Sequence, residues 1–274
     1  MTTLPFTTRL AVLALGAYIR HFPWSRGKGF LIRRLLRPIL PAPPASFSLA
    51  RPGGTTVSVY YREVIGLAAL IHGRFEDAEC RTLCAYAKRG TTTIDVGANA
   101  GIMAIPLSQA VGKDGRVIAV EPLRENVDRL EANARRSGLR NVVVVAVAAS
   151  SSEGTVRLNL ANDPAYASIV PVQGYASGTS REVRASRLDT IWRESGGGDV
   201  SVVKIDVEGA EAQVLEGATE LLTACRPAVM VEANDSDSLE RLNAVLKPLG
   251  YTRLQQAGFM PWNHLFLPEP IASP

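Results

Sequence analysis

Residues 93–101, TIDVGANAG, constrain the fold more than any other stretch of this chain. Ile94 and Val96 are β-formers that run into a glycine turn, and a helical pattern follows from about residue 100. A buried strand feeding a turn at a helix N-terminus is where α/β proteins hold phosphates and nucleosides. Gly97 and Gly101 carry no Cβ, so the backbone turns tightly there and can approach a ligand. Asn99, between them, tolerates left-handed geometry and can cap the helix. Asp95 stands at the carboxyl end of the strand, where ligands bind in open α/β sheets. Alone, a G-x-N-x-G turn is a weak signal. What strengthens it is a second strand, residues 117–120, that ends in Glu121-Pro122. An acid on the order of 20 residues past the turn is placed to accept hydrogen bonds from both hydroxyls of a ribose. The pair reads as an adenosine-type site, for a nicotinamide dinucleotide or for S-adenosylmethionine.

Charge divides the chain unevenly. Residues 1–62 hold nine Lys or Arg and no acid, whereas the remainder carries 21 basic against 26 acidic residues. The net charge of +4 therefore reflects the leader, and the body lacks the basic footprint of a nucleic-acid binder. Cys80, Cys84 and Cys225 are odd in number and lack C-x-x-C spacing, which reads as reduced thiols of a cytoplasmic protein. With 46% hydrophobic residues in 274, the chain can bury one α/β domain. The expected division is a basic, partly helical extension with a Pro-rich linker over 1–48, then one domain over 49–274.

Within the leader, residues 10–19 are apolar but fall short of the about 20 residues that span a bilayer. Residues 30–38 are basic and amphipathic, which fits contact with an anionic membrane surface; packing onto the domain or self-association through residues 1–40 are the other readings. Residues 38–44, PILPAPP, read as a stiff linker. From residue 56 the pattern becomes domain-like. A strand at 57–61 precedes a helix over 76–88 closed by Gly90, and Pro106 delays the next helix to about Met103. A helix over 124–136 buries Val127, Leu130 and Ala134, and strand three at 142–147 is apolar on both faces. Two short strands at 155–160 and 182–187 flank a long loop, 161–181, of the kind that serves as a lid. Strand four is 201–206, a helix covers 210–222, and strand five is 228–232. The last two strands, 251–254 and 263–267, are joined by too few residues for a crossover, so the final strand runs antiparallel. The predicted fold is α/β and Rossmann-like: a seven-stranded, mostly parallel sheet with one reversed strand, the class I methyltransferase arrangement. A dinucleotide fold would need a second parallel half, and little chain remains for it.

A second acid-tipped strand repeats the first. KIDVEGAE, residues 204–211, puts Asp206 at the end of strand four, with Glu208 and Glu211 just beyond. Strands one and four are neighbours in a doubly wound sheet, so Asp95 and Asp206 approach one pocket. Converging carboxylates suit a cationic sulfonium better than a pyrophosphate. Glu211 reads more simply as a helix N-terminal acid that complements the macrodipole. Asp206, Glu232 and Asn234 or Asp235 offer hard oxygen ligands to a divalent cation, but no spacing fixes a geometry and no metal is assigned.

DVGANAG (95–101), VIAVEP (117–122), NVVVVAVAAS (141–150), KIDVEGAE (204–211), VMVEAN (229–234) and NHLFLP (263–268) together resemble the FkbM family of methyltransferases, over about 75–268. The resemblance implies S-adenosylmethionine as cofactor and methylation of a hydroxyl oxygen on a sugar, polyketide or other natural product. By motif position, Asp95, Gly97, Asn99, Gly101 and Glu121 would hold the cofactor, with Glu76 as a further contact. Asp206 would lie beside both cofactor and acceptor, and Glu208 would face the methyl group. An aliphatic hydroxyl needs a base, for which Asp206 or Glu208 is the candidate and His264 the rival. The acid that many class I enzymes place after strand three is replaced by Ala148-Ala149-Ser150. Two other functions remain open: an NAD-linked oxidoreductase, or a non-catalytic, membrane-associated binding protein of the same fold.

Overall fold

In the computed structural model, residues 4–21, 32–161, 167–169, 176–255 and 258–270 are described. Helix α1 (Phe6–His21) is followed by an antiparallel hairpin of β1 (Ser46–Ala50) and β2 (Thr56–Tyr60), then by α2 (Val64–His72) and α3 (Asp77–Tyr86). Strand β3 (Thr92–Val96), helix α4 (Ala104–Val111), strand β4 (Arg116–Val120), helix α5 (Arg124–Arg136) and strand β5 (Val142–Val145) alternate next. Strands β6 (Ala148–Ser150), β7 (Gly154–Ala161) and β8 (Ala176–Arg187) form a small sheet of their own. Helix α6 (Leu188–Glu194), strand β9 (Val200–Ile205), helices α7 (Glu211–Glu216) and α8 (Thr219–Cys225), strand β10 (Ala228–Glu232), helix α9 (Ser236–Leu246), and strands β11 (Tyr251–Leu254) and β12 (Asn263–Pro268) complete the fold.

The main sheet has seven strands in the order β11-β12-β10-β9-β3-β4-β5. Only β12 is reversed, antiparallel to both β10 and β11, while the other pairs are parallel. Central strands are buried on both faces, as a parallel sheet between helix layers requires. Ile94, Val96, Ile118 and Val203 pack on one side; Val117, Ala119, Val202 and Met230 pack on the other. From β3 the chain goes one way to β4, and β9 lies on the other side. The crevice at this switch point opens at the carboxyl ends of β3 and β9.

Several expectations change. Strand β5 is an edge strand and is only half-buried, with Val143 41% exposed, so its unbroken apolar run reflects one packed face and not two. Strand β8 begins at Ala176, so the expected 161–181 loop is partly a hairpin arm; residues 162–166 and 170–175 lie outside the described residues. The 210–222 helix is two helices: the backbone leaves helical geometry at Gly217 and Ala218, and glycine is needed at 217 because a Cβ there would lie 2.1 Å from the Ser150 carbonyl oxygen. Helix α3 ends on Ala87 instead of Gly90. Helix α2 is apolar all round and gives no amphipathic period to read.

The leader is not a free extension on a linker. Val12 of α1 packs with Leu36, Leu40, Tyr61, Leu67 and Ile71, and both Leu36 and Leu40 are fully buried. The expected boundary at 48/49 falls inside β1. Arg51, counted with the leader's positive charge, is buried: it donates to the Ile102 carbonyl at 3.1 Å and pairs with Asp77 at 2.9 Å.

Candidate active site

Parallel register sets the site. Asp95 of β3 is paired with Lys204 of β9, so both point to the same side of the sheet, as does Asp206 two residues on. Lys204 Nζ lies 2.8 Å from Asp206 Oδ2. The two strand tips meet backbone to backbone. The Asp206 amide donates to the Val96 carbonyl at 3.0 Å, and a Cβ on Gly97 would come within 1.8 Å of the Asp206 carbonyl oxygen. Glycine with φ of 81° is therefore required at position 97.

Two cavities open from these tips, and they share Gly97, Asn99, Asp206 and Glu208. The first runs past Glu121, along the Ala148–Ala149 wall, to Ser168. The second, about 580 Å³, is lined by Glu76, Asp95, Lys204, Asp206, Glu208 and Glu232, and closed by Phe75, Met103, Met260 and Trp262. Four described non-glycine residues have left-handed φ: Glu76, Asn99, Glu208 and Arg226. The first three line the second cavity, and backbone held in that region at a pocket marks functional constraint.

The sequence-derived residues divide as follows. Glu76, Asp95, Gly97, Asn99, Glu121, Asp206 and Glu208 all line one or both cavities. Gly101 lines neither; it faces Ile105 and Leu130 and lets the loop pack on the helices behind it. His264 also lines neither. It is in register with Val231, on the far face of β12, while its neighbour Asn263 pairs with Glu232 on the cavity face. Strand alternation thus turns His264 away from both cavities. Asn99 takes the left-handed conformation, but its Oδ1 accepts from the next amide, Ala100, and does not cap α4. Glu121 already accepts from the Asn99 amide (2.9 Å), the Leu123 amide (2.9 Å) and Asn126 Nδ2 (3.2 Å). A carboxylate has about four lone-pair sites, so the ribose hydroxyls would share what remains. Glu211 accepts from the Val207 and Gly209 amides and holds the 206–209 turn, which is structural work.

Sequence reasoning missed Lys204, whose signal was a lone cation inside a buried apolar strand. It missed Asn263, which donates to Glu76 at 3.3 Å, and Ser168, whose Oγ donates to the Glu208 carbonyl at 2.5 Å. Asp206, Glu208 and Glu232 bring ligand atoms within 4.8 Å of one another, a set of hard oxygens that a divalent cation could use. Asn234 lines the second cavity and donates through Nδ2 to Glu232 at 2.9 Å, whereas Asp235 caps α9 and is not in that set.

Electrostatics are uneven. Burial, reinforced by Asp206 and Glu211, pushes Glu208 up to about 8. Burial, then Asp206, pushes Glu232 up to about 10. Glu76 rises to about 7 and Asp95 to about 6, both mainly by burial and both against the pull of Lys204. Asp206 alone falls: burial would raise it, but Lys204 and the Glu232 hydrogen bond hold it below the usual carboxylate range. Both Asp95 carboxyl oxygens are buried; the Ala104 amide lies near enough to draw its pKa down but not in good hydrogen-bond geometry, and no other described residue partners them. An orphaned buried carboxylate beside a glycine turn fits a ligand that brings its own cation and N–H donors.

Fold and site together define the class: a Rossmann-like domain of the class I methyltransferase arrangement. Residues 95–253 match the methyltransferase FkbM domain, and the chain belongs to that family. No curated protein matches the chain. Among solved structures, a methyltransferase FkbM from Methylobacillus flagellatus KT is 18% identical with TM-score 0.47, over 73% of this chain and 52% of that one. The chain thus spans about half of that protein's length. A SAM-dependent O-methyltransferase from Thermotoga maritima is 13% identical with TM-score 0.47, over 83% and 79%. An O-methyltransferase from Streptomyces achromogenes involved in tomaymycin synthesis, in complex with SAM, is 14% identical with TM-score 0.46, over 72% and 82%.

Proposed function

We propose that the protein transfers the methyl group of S-adenosylmethionine to a hydroxyl oxygen of a sugar, polyketide or other natural product. One observation carries this reading. Five carboxylates, those of Glu76, Asp95, Asp206, Glu208 and Glu232, line the larger cavity with Lys204 as the single cation among its described lining residues. A sulfonium with an α-ammonium group supplies the missing positive charge, and the adenosine would extend toward Glu121, where the adjoining cavity, about 50 Å³, has to widen to take it. The apolar walls formed by Phe75, Met103, Met260 and Trp262 suit an acceptor with apolar faces. Three free cysteines fit a reducing, cytoplasmic compartment.

Bound S-adenosylmethionine supplies an electrophilic methyl group and a neutral thioether leaving group. The protein's share is alignment, water exclusion and proton removal. Glu208 is the base: its ionised form, which predominates above about pH 8 in the ligand-free protein, takes the hydroxyl proton as the acceptor oxygen gains the methyl group. A cation bound beside it lowers that pKa toward neutral. Asp206 stays ionised against Lys204 and fixes the charge pattern that the donor meets. Asn263 and Ser168 hold Glu76 and the Glu208 backbone in place.

Calorimetric titration with S-adenosylhomocysteine should give saturable binding, and NAD should give none. The reverse result would return the oxidoreductase reading. A methyl-transfer screen over hydroxylated glycans and polyketides, read by mass spectrometry, identifies the acceptor; transfer to nitrogen or carbon acceptors alone would overturn the hydroxyl assignment.

A further inference from the structure

Helix α1 has two apolar faces, and the described residues pack on one of them. Val12 and Gly16 are buried, and Val12 packs into the core formed with Leu67 and Ile71 of α2. On the opposite side Phe6, Leu10 and Leu13 are 79%, 58% and 58% exposed. Their spacing of four and three residues lines them up as one stripe. Arg9 is exposed beside it. The segment Ile32–Leu36, which joins the same core through Leu36, adds exposed Arg34 and Leu35, and Ile39 follows at 44% exposed.

We propose that this outer face of α1 is a docking surface for an anionic lipid bilayer, on which the protein lies peripherally. Charge selects the occupant. Residues 1–62 contain nine basic residues and no acid. Arg51 and Arg62 bind within the fold, Arg62 donating to the Leu40 carbonyl at 2.7 Å; Arg9 and Arg34 stand at the surface. An apolar stripe on a segment that carries basic residues and no acid is the form of a helix lying in the interface of an anionic membrane. A second copy docking through the same patch would set this positively charged segment against itself. Spanning is not involved: α1 has 16 residues, and no described helix is long and apolar enough to cross a membrane. Helix α2 connects the two functions, since Leu67 and Ile71 meet α1 while Val64, Ile65 and Ala68 wall the large cavity. A docked molecule therefore holds its cavity about one helix diameter from α1, on the order of 10 Å. Docking stands whether or not the methyl-transfer reading does.

The test is cosedimentation of the full chain with phosphatidylcholine vesicles, with and without phosphatidylglycerol, at low and high salt. Wild type should bind the phosphatidylglycerol vesicles, and salt should weaken binding. Leu10→Glu with Leu13→Glu should cut binding by about tenfold or more, because the stripe loses its apolar contact. Arg9→Glu with Arg34→Glu, which leaves the stripe intact, should also cut it. Unchanged far-UV circular dichroism and melting temperature show that the variants are folded. Absence of wild-type binding, equal binding to neutral vesicles, or equal binding by the Leu variant would overturn the proposal. So would light scattering that shows a dimer broken by the Leu substitutions without vesicle binding.

Discussion

Lys204 faces Asp95, Asp206 and Glu76, and burial alone would strip its proton; the three acids together keep it charged. Its charge separates the roles of the two acids after β9. Asp206 is committed to it, whereas Glu208 is left free to titrate. Glu208→Gln should lower kcat by about 10²–10⁴-fold, the usual contribution of a positioned base, with S-adenosylhomocysteine affinity within several-fold of wild type. Asp206→Asn should also lower turnover. In the pH profile of stability the sign follows from the raised carboxylates. Above the ordinary pKa of 4.5, the unfolded chain releases the proton that folded Glu232 keeps until about pH 10. The native state then binds more protons, so stability is full below that pKa and falls as pH rises, with Glu208 contributing up to about 8. Melting temperature of the ligand-free protein should fall from about pH 5 to about pH 8, and Glu232→Gln should flatten the fall. An unaltered slope in that variant would remove Glu232 as its source. The glycines differ as well. Gly97→Ala meets a carbonyl oxygen at 1.8 Å and should abolish ligand binding or folding, while Gly101→Ala meets the flexible end of Ile105 at 3.2 Å and should do less harm. Both were legible as turn glycines. Which of them touches the cavity was not, because that depends on what packs across the turn.

Among the elements, the β1–β2 hairpin is tied to the site by one side chain. Arg51 reaches from the end of β1 to the Phe75 and Ile102 carbonyls, whose residues line the large cavity, and to Asp77 at the start of α3. Removing one partner of a buried pair typically costs about 3–5 kcal/mol. Arg51→Met keeps the volume but loses the charge, and should lower the melting temperature by roughly 5–15 °C in a thermal scan. No change would mean that the hairpin is held by its apolar face alone. In sequence Arg51 reads as one more basic residue of the leader. Nothing local marks it as internal, since its partners lie 24 to 52 positions away. The need for glycine at 217 was hidden for the same reason: the obstacle is a carbonyl of β6. By contrast, α5 was readable to its ends, because one amphipathic face and a following Gly138 are local signals.

On the scale of the whole molecule, the leader and the body are one packed structure. Deleting residues 1–31 would uncover Leu67 and Ile71 of α2, and a buried residue such as Val12 contributes roughly 1.5–3 kcal/mol. The truncated protein should melt several degrees lower and still bind S-adenosylhomocysteine, as its cavities are lined by residues beyond the leader. The alternation of strands and helices, the reversed final strand and the two acid-tipped turns were determined by sequence, because period, turn chemistry and connection length are local quantities. Tertiary structure decided the rest: that His264 looks away from the cavity, that Lys204 divides the work of Asp206 and Glu208, and that α1 is clamped to the body with one apolar face left outward. For His264 and α1 the outcome depends on which distant residue stands across a register or a packing face; for Lys204, Asp206 and Glu208, neighbours in sequence, it depends on burial and on which of them the fold turns toward one another.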